Sequence, residues 1–189
     1  MAVIKPFRAV RPRADLASRI AALPYDVYNR EEAKKEVQRE PESFLQIDRA
    51  ETRCEEGIDL YSEEVYQKAH DLLWEKIQNG IFIQDEKPCY YLYELIMGNR
   101  SQTGIVACAS IDDYENGIIK KHECTRAEKE QDRICHVDAC DAQTGPIFLA
   151  YRKNEELKQI IKEVKEERPL FDFQTRDGII HRGWKIAEK

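Results

Sequence analysis

The stretch Cys89-Tyr90-Tyr91-Leu92-Tyr93-Glu94-Leu95-Ile96-Met97 is rich in tyrosine and aliphatic residues; Gly98-Asn99 follows, and an apolar run resumes from Ser101 to Ile111. Aromatic and β-branched side chains suit a pleated, half-buried surface, and a two-residue glycine break between two such runs marks a β-hairpin. The pattern predicts that this hairpin forms the centre of a sheet. Gly104, inside the second run, points to a bulge or a close backbone approach.

Upstream, residues 3–12 read as a short strand broken by Pro6, which cannot donate to a ladder and belongs at an edge. Residues 15–23 carry Leu16, Ile20 and Leu23 on one helical face until Pro24-Tyr25-Asp26 ends the pattern. Asn29 and Glu32 have capping-box spacing and open a helix towards Arg39. Pro41 stops it, and residues 43–47 read as a brief buried strand. An acidic loop spans 51–59. From Ser62 the residues Val65, Ala69, Leu72, Leu73 and Ile77 recur at helical spacing until Asn79-Gly80, with Tyr66, His70 and Trp74 as packing residues.

Downstream of the hairpin, residues 146–151 read as another strand. Leu157, Ile160, Ile161 and Val164 define an amphipathic helix whose Lys158, Lys162, Glu163, Lys165 and Glu166 form a solvated face. A last hairpin, 170–173 with 179–186, turns at Asp177-Gly178 and places His181 in a structural position. Helices and strands alternate, so the class is α/β or α+β: a mixed sheet with a central antiparallel hairpin, flanked by helices. At 189 residues the chain reads as one domain, 1–189, with an inserted lobe.

The net charge of -6 argues against a nucleic-acid partner, whose binders present a basic field. No window approaches about eighteen uninterrupted apolar residues, so no membrane span is expected. The first residues lack the apolar region of a secretion signal. The expected location is the cytoplasm, with the six cysteines as thiols.

The densest chemistry lies between Lys120 and His136. Thr125 and Glu128 have capping-box spacing, which predicts a helix starting at Arg126. Lys129, Asp132, Arg133 and His136 would then share one broad face, with His122 and Glu123 just ahead of the N-terminus. A helix N-terminus suits phosphate or carboxylate, and Lys121, Lys129 and Arg133 could add charge-assisted contacts. Glu123 and Asp132 have natural roles as base or metal-bridging carboxylates, and His122 as a proton carrier. The same charges also fit a solvated, capped helix face, and the cap would occupy N–H groups that an anion needs. Cys124, Cys135, His136 and Cys140 lack the C-x-x-C spacing of a zinc site, so no metal site is assigned to them.

Several motifs in order, Pro6-Phe7-Arg8-Ala9, Pro24-Tyr25-Asp26-Val27, Pro41-Glu42-Ser43-Phe44-Leu45, Gln102-Thr103-Gly104, and His122-Glu123-Cys124-Thr125 with Lys129-Glu130-Gln131-Asp132-Arg133, resemble the bacterial and archaeal DUF1015 family over nearly the whole chain. That family is similar to the ParB/sulfiredoxin superfamily, in which ParB binds CTP, sulfiredoxin uses ATP and an ADP-dependent free-serine kinase shares the fold. The resemblance implies a cytosolic nucleotide- or phosphate-binding protein, with a serine-type metabolite kinase as the concrete expectation. Glu123 would be the base, assisted by His122. Lys121, Thr125, Lys129 and Arg133 would hold a nucleotide (ADP, ATP or CTP, with Mg²⁺), and Asp132 would orient Arg133 or the metal. Longer members carry a later Gly-His-His-Arg motif that this chain lacks, so the chain is expected to be a truncated N-terminal half. The alternative is a non-catalytic module whose polar block docks a partner, a second copy or the missing half. A third reading, a sulfiredoxin-like thiol enzyme, would rest on Cys124 ahead of the helix.

Overall fold

A computed structural model describes residues 2–122 and 125–187. In chain order the elements are β1 (Ile4–Lys5), β2 (Val10–Pro12), α1 (Ala17–Ile20), α2 (Arg30–Arg39), α3 (Leu45–Asp48), α4 (Glu63–Gln78), β3 (Phe82–Gln84), β4 (Cys89–Met97), β5 (Arg100–Val106), β6 (Cys108–Ala109), α5 (Ile111–Glu115), α6 (Ala127–Cys140), α7 (Glu155–Lys165), β7 (Phe171–Gln174) and β8 (Ile180–Ala187). The class is mixed α+β, with small antiparallel sheets. Among the described residues no helix is long and apolar enough to cross a membrane. The chain divides into two compact units, one of Met1–Ser18, Ile83–Glu123 and Leu149–Lys189, the other of Arg19–Phe82 and Cys124–Phe148.

The first unit is built on a four-stranded sheet in the order β5-β4-β8-β7 and also holds the β1-β6 pairing, while β2 pairs with β3 at the join of the two units in the chain. The predicted hairpin forms, with Met97 opposite Arg100 and Gly98 at φ +59° opening the turn. The expectation that both its strands lie at the centre is corrected: β4 is central, while β5 is an edge. β8 takes the other side of β4, from Cys89↔Ala187 to Ile96↔Ile180. Gly104 sits in regular register opposite Tyr93, with open space where a Cβ would point, so neither the bulge nor the close approach exists. The apolar run also ends early: Ser110 caps α5 by accepting from the Asp113 amide, which makes Ile111 helical.

Residues 146–151, expected as a strand, form no regular element, and Ile147 and Phe148 are 73% and 80% exposed. Apolar composition supplies a strand's surface but not the neighbouring ladder that a strand requires. The hairpin of β7 and β8 does form, with Gly178 at φ +83° in its turn.

The second unit is helical. Asn29 caps α2 with a complete capping box, its side chain accepting from the Glu32 amide and its own amide donating to Glu32. Ala33 and Val37 on α2 pack with Leu45, and Tyr25 and Tyr28 lie against this cluster. α4 buries Val65, Ala69 and Leu73. Residues 43–47, expected as a strand, turn into α3 instead. Ser43 Oγ accepts from the Leu45 amide, and Gln46 donates its side-chain amide to the carbonyls of Pro41 and Ser43. These local bonds satisfy the backbone without a partner strand. The segment is buried as expected, but as a helix.

Candidate functional site

In the helical unit α6 turns Asp132, His136 and Cys140 inwards. Asp132 is 8% exposed. Its Oδ1 accepts from the Tyr66 hydroxyl of α4 at 3.1 Å, and its Oδ2 accepts from Arg133 Nη2 at 3.0 Å. Burial and then the adjacent Asp132 push the Tyr66 phenol up to about 12, so it remains a donor. The guanidinium of Arg133 lies 4.5 Å from the centre of the Tyr25 ring. Arg49 fixes that ring's backbone by donating to the carbonyls of Tyr25 (3.1 Å) and Tyr28 (2.8 Å), while its Nε donates to Glu51 at 2.6 Å. Arg133 is thus held flat by an aromatic face and by a carboxylate, yet its Nε is buried without a hydrogen-bond partner.

One turn along α6, His136 Nε2 donates to the carbonyl of Ile47 at 3.0 Å. Burial lowers the pKa of this imidazole, which suits a neutral donor. Burial, then the nearby Asp48, pushes the Cys140 thiol up to about 11, making it an unreactive thiol. Asp48 follows Ile47 at the end of α3. Burial raises its carboxyl to about 6, and Arg133 opposes that rise.

Of the residues expected at the site, the structure brings together Asp132 and Arg133. Lys129 is exposed, donating to the Tyr61 hydroxyl at 3.3 Å with its ammonium 5.8 Å from that ring's centre. Thr125 is exposed and does not cap: the N-cap of α6 is Arg126, without a side-chain cap bond. The helix starts one residue later than the spacing predicts, so the Thr125–Glu128 box is out of frame. Lys121 belongs to the other unit and lies 5.0 Å from the Tyr114 ring centre; His122 in that unit is exposed. Glu123 and Cys124 lie outside the described residues. Asp48, Arg49 and the ring of Tyr25 were missed as site residues; a lone carboxylate ending the buried run Leu45-Gln46-Ile47 was the available signal.

Two of the buried carboxylates of the sheet unit, Asp85 and Glu94, gather cationic partners. Asp85 accepts from Arg11 (2.9 Å from each of two nitrogens), Lys185 (2.7 Å) and Tyr91 (2.6 Å). Glu94, 2% exposed, accepts from Ser101 at 2.5 Å and from Lys165. Lys165 therefore leaves the solvated face expected of α7 and supplies the partner that a buried carboxylate needs. Among the described residues no three His, Cys, Asp or Glu side chains gather as a metal cluster, and Cys54, Cys89, Cys108, Cys135 and Cys140 are free thiols.

A family model described as a protein of unknown function, DUF1015, matches residues 4–189. No curated protein and no solved structure matches the chain.

Proposed function

The chain belongs to the DUF1015 family, and on that premise we propose that it binds a phosphate-bearing small molecule, a nucleotide foremost, against the guanidinium of Arg133. The observation that carries this reading is the state of Arg133: seated on Tyr25, oriented by Asp132, about one third exposed, with Nε unpaired. A planar guanidinium held in this way is ready to donate to phosphate oxygens with little further loss of freedom. Both oxygens of Asp132 already accept bonds, which favours the orienting role over a Mg²⁺ role.

The finer reading is a cytoplasmic, serine-type metabolite kinase with Glu123 as base and His122 assisting, on a ParB/sulfiredoxin-like sheet with an inserted lobe. The alternation of the helical unit with the sheet unit along the chain supports the inserted lobe. The test is titration with ADP, ATP and CTP, with and without Mg²⁺. Arg133→Gln should weaken the preferred nucleotide at least about tenfold, the worth of one charge-assisted contact. Unchanged affinity in that variant, or no binding by the parent chain, rejects the reading.

A second reading, a non-catalytic module docking a partner, a second copy or a further part of the protein, is favoured by one observation. The Tyr66–Asp132 and His136–Ile47 bonds tie α6 to α4 and α3 with no ligand required. It predicts that Arg133→Gln alters stability or association and leaves nucleotide affinity alone.

A further inference from the structure

We propose that Asp48 and Arg133 are the two poles of one binding site, and that its ligand is a small zwitterion placing an anionic group on Arg133 and an ammonium group on Asp48. This rests on the phosphate reading of Arg133 and adds the second pole. The juxtaposition is set by backbone: Ile47 accepts from His136 at 3.0 Å, Asp48 is the next residue, and Arg133 lies one turn before His136 on the same helix face.

Among the described residues the Asp48 carboxyl group has no hydrogen bond and no ion pair, while Arg133 Nε is buried and unpaired. The two groups influence each other electrostatically without closing a salt bridge. Their neighbours are committed elsewhere: Asp132 to Tyr66 and Arg133, and Arg49 to Tyr25, Tyr28 and Glu51. A simple anion would satisfy Arg133 and be repelled by Asp48. A simple cation would meet the reverse. A molecule carrying both charges satisfies both poles, and the carboxylate left without a partner in its own chain acquires one.

Phosphoethanolamine and ethyl phosphate share a phosphate ester and differ in the ammonium group, so they separate the two poles. Dissociation constants measured by NMR titration near pH 7 should show phosphoethanolamine binding the intact chain about tenfold more tightly, the size of one ion-paired contact. Asp48→Asn should bring the two probes to equal affinity, and Arg133→Gln should weaken both. Circular dichroism, with Arg133→Lys as the charge-retaining control, checks that the variants fold. Equal affinities on the parent chain, or a preference that survives Asp48→Asn, overturn the zwitterion assignment while leaving the phosphate reading intact. If neither probe binds, or if Arg133→Gln leaves ethyl phosphate affinity as it was, the phosphate reading falls and this inference falls with it.

Discussion

Asp48 shows how much of the site turns on one side chain. Its carboxyl group is raised from 3.8 to about 6 by burial, so the folded chain holds this proton more tightly than the unfolded chain does. Stability should therefore fall as pH rises from about 4 to about 6 and stay lower above that window. Asp48→Asn should remove this slope and raise stability at pH 7 by about 2 kcal/mol, read from urea denaturation at a series of pH values. A variant no more stable than its parent would mean that the carboxylate is better solvated than its burial implies. Sequence spacing does not reveal this behaviour of Asp48, since burial sets it and Arg133, which opposes it, is 85 residues away in the chain.

Among the elements, two helix starts with the same sequence signature behave differently. The Asn29–Glu32 box is complete, so Asn29→Ala should cost about 1 kcal/mol in urea denaturation. Thr125 makes no cap, so Thr125→Ala should stay within about 0.5 kcal/mol of its parent. Comparable losses in the two variants would restore the cap at Thr125. In the sheet, Gly183 pairs with Phe171, and a Cβ at Gly183 would stand 2.3 Å from the Phe171 ring. Gly183→Ala should therefore cost at least about 2 kcal/mol, and adding Phe171→Leu should recover part of it. A neutral Gly183→Ala would place the ring elsewhere.

At the scale of the whole molecule, the charge of Asp85 in the sheet unit is expected to set the acid limit. Burial alone would raise Asp85, but hydrogen bonds from Arg11, Lys185 and Tyr91 hold its carboxyl far below the ordinary range. Its contribution is fully present above about pH 4 and is lost as pH falls further. Asp85→Asn should cost about 3 kcal/mol at neutral pH, because two cations lose their partner, and should flatten the acid limb of the denaturation profile. An acid limb unchanged in the variant would assign that limb to other carboxylates. The sequence by itself determined the mixed class, both hairpins, the capped start of α2, the stripe of α4 and the family. Each of these is written in local periodicity, turn chemistry or motif order. Only the tertiary structure decided that β8 flanks β4, that residues 43–47 turn into a helix while 146–151 stay unpaired, and that Tyr25, Asp48, Asp132 and Arg133 form one cluster. Ladder partners, burial and the electrostatic neighbours of a carboxylate are properties of residues distant in the chain, and no local pattern encodes them.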